Sequence, residues 1–271
     1  MSASIRETDG CGAEITGVSV PRASAAEIDL IRQAVFDRGV AFLHGQDLTP
    51  EEQIAFAEKI GPIVVNRYFP PSEKYPQIAK VEKTEEQTTN IGGGWHTDHS
   101  YDQAPAMGSV LLAVETPPSG GDTQFANMYA AYETLPDALK ARVESLSCVH
   151  DASRNSAGEL RLGYEDVSDP RQTKGAVHPI VSTHAVTGRK CLLLGRRRNA
   201  YIVGLDLAES EQLLDALWAH ATRPELTWTQ VWQVGDLMMW DNTCTMHKRD
   251  AFDPAARRLM YRTQIAGVAT P

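Results

Sequence analysis

Apolar residues at helical spacing alternate along this chain with short apolar runs that read as strands. Residues 11–20 alternate enough to predict an opening strand or hairpin. Ser24-Ala25-Ala26-Glu27 has the Ser-x-x-Glu form of a capping box. Ile28, Ile31, Ala34 and Val35 follow on one helical face, so the pattern predicts a helix that ends near Gly39. Val40–Leu43 reads as a short buried strand. Thr49-Pro50-Glu51-Glu52 opens a second helix through Lys59, with proline in its first turn and acids at its positive end. Between residues 62 and 125 the apolar runs are short and broken by Pro, Gly and Asn, which is strand-and-loop texture. A third helix is expected over 127–145, capped by Asn127 and interrupted at Pro136. Residues 151–175 are polar and aperiodic, the profile of a functional lid or a disordered loop. Strands resume at Ala176–Ser182 and Lys190–Leu194, joined across Thr187-Gly188. A helix follows over Ala208–Ala221, and strand-like runs at Leu226–Val234, Asp236–Trp240 and Arg258–Val268 finish the chain. No repeat or linker divides it, so the pattern predicts one domain of helices laid on a mainly antiparallel β core.

Composition narrows the function classes. With 271 residues, 42% of them hydrophobic, the chain buries enough surface to fold without a structural metal, so a metal site here is functional. The net charge of −9 argues against nucleic acid or an acidic membrane surface as partner. The longest apolar runs fall far short of the ~20 residues of a membrane-spanning helix. Residues 1–7 lack the apolar core of a secretory signal, and four scattered cysteines suit a reducing compartment. A cytoplasmic location is expected.

The sharpest local feature is Gly92-Gly93-Gly94-Trp95-His96-Thr97-Asp98-His99. On an extended segment, positions i and i+2 point to the same side, so His96 and Asp98 can converge on one metal ion. A capped surface loop explains the same residues. His247, in a strand-rich C-terminal region, can supply a third ligand, in competition with His99, His150, His178, His184 and His220. Two histidines and one carboxylate form the facial set that leaves three positions of an octahedral Fe(II) open. Further on, a strand would turn Arg258, Met260 and Arg262 to one side. Two inward guanidinium groups beside a metal site call for two small anions. The competing reading pairs them with Asp250, Asp253 or glutamates at the surface.

Together these motifs resemble the taurine dioxygenase/2,4-dichlorophenoxyacetate dioxygenase (TauD/TfdA) family of Fe(II)/2-oxoglutarate-dependent oxygenases. The resemblance spans nearly the whole chain, through Gly12-Ala13-Glu14-Ile15-Thr16-Gly17-Val18, Trp95-His96-Thr97-Asp98, Gly120-Gly121-Asp122-Thr123, Trp240-Asp241-Asn242, His247 and the arginine tail. It implies a mainly β double-stranded β-helix, or jelly roll, with flanking α-helices. It makes His96, Asp98 and His247 the iron ligands, and Arg258 and Thr123 the grip on the far carboxylate of 2-oxoglutarate. Trp240 matches a tryptophan packed close to the iron, and Arg262 an arginine placed against the substrate anion. Fe(II), 2-oxoglutarate and O2 would act together to hydroxylate a C–H bond, releasing succinate and CO2.

Where taurine dioxygenase has its substrate-binding histidine and a neighbouring tyrosine, this chain has Asn66 and Phe69. Asn66, Arg67 and Phe69 are thus expected at the substrate, which is then a small organic anion but not taurine. The Trp-Asp-Asn-x-Cys-x-x-His form and Leu194-Gly195-Arg196-Arg197-Arg198 look closer to members that cleave aryloxyalkanoate ethers. Of those three arginines, at least two are as readily an exposed basic turn. Residues 66–93 and 151–175 are expected as lids, and the resemblance implies a homo-oligomer. Two alternatives remain: a metal-dependent hydrolase with a His2Asp zinc site, and a non-catalytic jelly-roll binding protein.

Overall fold

The computed structural model describes residues 2–65, 74–87 and 89–267, so Asn66, Arg67 and Phe69 lie outside the described residues. Strands β1 (Ser4–Glu7) and β2 (Ala13–Thr16) form the opening hairpin. Helix α1 (Ala25–Arg38) starts at the reciprocal Ser24/Glu27 cap and ends at Gly39, whose φ of 77° favours glycine. Then come β3 (Val40–Leu43) and α2 (Pro50–Ile60), the latter capped in the same way by Thr49 and Glu52. Four strands follow: β4 (Ile63–Val64), β5 (Ala79–Lys83), β6 (Gly108–Glu115) and β7 (Thr123–Asn127). The expected helix over 127–145 is two helices, α3 (Met128–Glu133) and α4 (Asp137–Val143), separated at Pro136, which has no N–H to continue the first.

After β8 (Ser147–Val149) the backbone is irregular, apart from one short turn of helix, as far as β9 (Val177–Pro179) and β10 (Val181–Thr183). The single strand expected over 176–182 is thus two: β9 pairs with β8, and β10 pairs with β11 (Lys190–Leu192). Strand β12 (Tyr201–Ile202) leads to α5 (Leu207–Ala221). The end of the chain carries β13 (Thr227–Gln230), β14 (Leu237–Asp241), β15 (Thr245–Arg249) and β16 (Arg258–Ile265). The run expected over 226–234 shrinks to β13, and β15 has no counterpart in the apolar pattern.

The main sheet runs β1-β2-β3-β14-β6-β16-β4, with β5 also on β16; only β2 and β3 pair in parallel. A second sheet, β13-β7-β15, faces it. Alternation along the strands explains why their apolar runs are continuous. Val40, Phe42, Leu111, Ala113, Met238, Trp240 and Met260 point inward against Phe125 of the second sheet. The intervening Ala41, Leu43, Val110, Leu112, Leu237 and Met239 point outward, into the cluster that holds the apolar faces of α1 and α2. On the far side, α3 and α5 bring Met128, Tyr129, Leu213, Leu214 and Leu217 against Ala126 and Met246. Two facing sheets flanked by helices are the expected jelly roll.

Candidate active site

Between the sheets, β15 lies on β7 with His247 opposite Phe125 and Arg249 opposite Thr123. His96 belongs to no strand, yet it makes antiparallel bridges on both sides, to His247 and to Arg196. His96 N donates to His247 O (2.9 Å) and His247 N to His96 O (2.8 Å), while Thr97 N donates to Gly195 O (3.0 Å). This stitching fixes His96 and Thr97 between two neighbouring segments, and Asp98 opens a turn directly after them. His96 Nε2 lies 3.7 Å from Asp98 Oδ1, and His247 Nε2 3.6 Å from Asp98 Oδ2, with all three residues buried.

The protonation states suit a cation. His96 Nδ1 donates to Gly94 O at 2.7 Å, and because a carbonyl only accepts, the Nε2 lone pair is left facing the carboxylate. Burial pushes the pKa of His247 down to about 4 and that of His96 well below its ordinary value, so both imidazoles are neutral. Burial also opposes ionisation of Asp98, but the Arg262 guanidinium outweighs it and holds the carboxyl far below the usual range. Three deprotonated donors in one buried cluster are what a metal requires.

A second cluster, His184, Asp241 and Cys244, has similar spacing but different chemistry. His184 Nδ1 accepts from the backbone N–H groups of Val186 and Thr187, so the proton sits on Nε2 and is donated to Asp241 Oδ2 at 2.9 Å. No lone pair remains for a metal, and burial keeps Cys244 a thiol. The pair pins the β10–β11 hairpin to the end of β14.

Arg258, Met260 and Arg262 share the buried face of β16. Arg262 lines the cavity, but its Nη2 donates to Asp98 Oδ2 (2.7 Å) and its Nε to Ser109 Oγ (3.0 Å). The sequence expectation placed its charge against a substrate anion; the structure matches that charge with Asp98. Arg258 differs. It is 3% exposed, its Nε has no hydrogen-bond partner, and among the described residues no carboxylate pairs with it. Burial, then Arg249, push its pKa down to about 9. Its guanidinium lies 5.7 Å from the Trp232 ring, and Trp232 Nε1 donates to Thr123 Oγ1 at 2.9 Å, leaving the threonine proton free to be donated elsewhere. Trp240 packs 5.1 Å from the His247 ring, with its Nε1 held by Asn242 Oδ1.

These residues border a cavity of about 340 Å³ whose apolar wall includes Val81, Ile91, Leu111 and Trp240. Over it, parts of the two expected lid segments meet. Gly92 N donates to Ser156 Oγ (2.9 Å) and Thr89 Oγ1 to Glu159 (3.0 Å), while Arg249 forks onto Asn90 Oδ1. Sequence reasoning missed Arg249, although its place two residues after His247 on a strand was the signal. Of the basic turn, Arg196 lines the cavity, Arg197 pairs at 2.7 Å with Glu211 and Asp215, and Arg198 is exposed.

Behind Arg196, His150 is buried with neither ring nitrogen bonded, and burial lowers its pKa from 6.5 to about 3. The folded protein keeps this ring neutral while the unfolded chain protonates below 6.5, so stability falls as pH drops from 6.5 toward 3. His150→Gln should flatten the slope of Tm against pH in that window; an unchanged slope would count against this assignment.

The family model described as "Taurine catabolism dioxygenase TauD, TfdA family" matches residues 4–264. The chain belongs to this family. It is 36% identical to the alpha-ketoglutarate-dependent 2,4-dichlorophenoxyacetate dioxygenase of Cupriavidus pinatubonensis over 88% of each chain. It is 34% identical to the (S)-phenoxypropionate/alpha-ketoglutarate-dioxygenase of Sphingobium herbicidovorans, over 94% of this chain and 92% of the relative. Among solved structures it superposes on AAD-2 in complex with Mn(II) and N-oxalylglycine with a TM-score of 0.82, at 31% identity, covering 100% of this chain and 99% of that one.

As a TauD/TfdA member the chain is an alpha-ketoglutarate-dependent dioxygenase, an oxidoreductase that uses Fe(II), 2-oxoglutarate and O2. The zinc hydrolase and the non-catalytic binding protein are set aside by the same match.

Proposed function

We propose that this TauD/TfdA dioxygenase hydroxylates a C–H bond of a small anionic organic substrate of the aryloxyalkanoate class. In this reading His96, Asp98 and His247 hold Fe(II), and Arg258 with Thr123 hold the distal carboxylate of 2-oxoglutarate. Arg258 carries the assignment. A buried guanidinium without a counter-ion is costly unless an anion arrives, and this one shares a cavity with three deprotonated metal donors.

Bound there, iron and 2-oxoglutarate supply an O2-dependent oxidation that releases succinate and CO2. The chain does the positioning. Gly94 O fixes the tautomer of His96, and Arg262 fixes the orientation of Asp98. Arg258 and Thr123 admit the cosubstrate in one orientation through charge-assisted hydrogen bonds. The Trp240 indole, held by Asn242, walls the metal side of the cavity with an apolar surface. For an aryloxyacetate, hydroxylation of the ether carbon gives a hemiacetal that separates into a phenol and glyoxylate.

Asn66, Arg67 and Phe69 are assigned to the substrate side on their sequence positions. The segments 66–93 and 151–175 are assigned as lids of one catalytic domain, excluding water during turnover. Four free, buried cysteines support a reducing, cytoplasmic setting. Among the described residues no helix is long and apolar enough to cross a membrane. A homo-oligomer is proposed, to be checked by light scattering.

The test is succinate release from 2-oxoglutarate with Fe(II) and O2 across aryloxyalkanoates, sulfate esters, sulfonates and neutral analogues. Substrate-dependent succinate from the aryloxyalkanoates is expected, with protection from proteolysis within 151–175 in the same samples. Succinate release that no anionic compound stimulates would overturn the reading.

A further inference from the structure

Among the described residues the fold holds a second cavity, of about 310 Å³, on the other side of one wall of the catalytic cavity. Ala185 and Val186, exposed in the turn between β10 and β11, form its rim; Phe36, Met107 and Leu193 form its sides, and the buried Asp241 and Asn242 its floor. The polar groups of this floor are already paired. His184 donates to Asp241 Oδ2, and Thr243 N donates to Asp241 Oδ1 at 2.7 Å. The Asn242 amide is engaged at both ends, accepting from Trp240 Nε1 and donating to Ala106 O, each at 3.0 Å. Little remains there to hold an ion or a polar ligand, so an occupant meets mainly carbon surface. Space of this kind takes up small apolar molecules in preference to water.

The floor is also the partition between the two cavities. Trp240 faces the catalytic side, with its ring 5.1 Å from that of His247, and its hydrogen-bond partner Asn242 faces the other. One indole and one amide thus separate the second cavity from a metal donor. Backbone bonds anchor them: Asn242 N donates to Met107 O (2.8 Å), and Met107 N to Ile265 O (3.0 Å). At the next residue, Gly108, a Cβ would run into Trp240 O, so glycine lets β6 approach β14 closely at this point.

This placement meets a need of the dioxygenase. Substrate and 2-oxoglutarate occupy the catalytic cavity, and the segments joined by Gly92–Ser156 and Thr89–Glu159 meet over it. Dioxygen is the one reactant that is small, uncharged and apolar, and it gains by leaving water for carbon surface. We infer that the second cavity is a dioxygen site, which collects the gas from solvent and passes it to the catalytic cavity by way of the Trp240–Asn242 contact. The inference rests on the assignment of His96, Asp98 and His247 as the metal donors.

Xenon, apolar and unreactive, is the probe. Solution NMR of protein labelled at its methionine and alanine methyl groups, recorded with increasing xenon, should show saturable shifts at Ala106, Met107 and Ala185. Met128 and Ala131, in the cluster around α3, should not move. Ala106→Leu fills the cavity from within and Ala185→Phe from its rim, and neither residue lines the catalytic cavity. Both variants should lose the xenon shift at Met107 and show a KM for dioxygen raised several-fold, with the KM for 2-oxoglutarate unmoved. If Ala106→Leu does not fold, Ala185→Phe, at an exposed position, carries the test. Wild-type methyl groups that xenon leaves unmoved, or a Met107 shift retained in both variants, overturn the site. An unchanged KM for dioxygen in a variant that has lost the shift overturns the route, as does a KM for 2-oxoglutarate that rises in step with it. The xenon titration involves no turnover, so its outcome is independent of the succinate assay.

Discussion

Arg258→Gln raises the KM for 2-oxoglutarate by at least about thirty-fold and makes the ligand-free protein more stable. The two effects have one cause. In the free protein the guanidinium is buried and among the described residues no carboxylate pairs with it, so its desolvation is only partly offset, by Asp122 at a distance, and glutamine removes that penalty. In the complex the distal carboxylate supplies the missing charge, and deleting one partner of such a buried pair costs about 2–5 kcal/mol, a factor of about thirty to several thousand in affinity. Steady-state kinetics with varied 2-oxoglutarate and a thermal melt of the ligand-free variant measure both. A raised KM with a lowered melting temperature would mean that Arg258 holds the fold together and only incidentally meets the cosubstrate.

Asp98→Ala abolishes turnover and also destabilises the protein by about 3–5 kcal/mol, because it leaves the Arg262 guanidinium buried without its carboxylate. The second effect distinguishes this site from an ordinary triad of ligands. Removing the stranded charge as well, in Asp98→Ala/Arg262→Leu, should recover most of the stability while turnover stays absent. Urea denaturation of the wild type, both single variants and the double variant gives the coupling between the two positions. Additive losses would show that Arg262 does not depend on Asp98 for its charge balance.

Features of the fold that were legible in the sequence are those whose causes lie within a few residues. The Ser24/Glu27 and Thr49/Glu52 caps are reciprocal bonds three residues apart, and both helices begin where the caps place them. The convergence of His96 and Asp98 was legible in their i, i+2 spacing, although Asp98 opens a turn, and the common face of Arg258, Met260 and Arg262 follows from strand backbone alone. Strand β15 was not legible because Thr-Met-His-Lys-Arg carries one apolar residue; pairing with β7, far away in the chain, makes it a strand. The Asp98–Arg262 pair was hidden for the same reason, since it is decided by which distant side chains share a cavity, and no local period encodes that.

The site divides between two kinds of backbone. Thr123 and Arg258 sit on hydrogen-bonded strands in the interior of the jelly roll, whereas Arg196, Asn90 and Ser156 sit on connecting segments at its mouth. A slip of one residue in either strand would turn its whole inward face outward, but a loop can change length without moving the strands beneath it. In the proposed reading, the grip of Thr123 and Arg258 on 2-oxoglutarate and the loops at the cavity mouth are therefore separately adjustable. Exchange of its loops with those of a relative offers a route to new substrates that leaves the handling of 2-oxoglutarate in place.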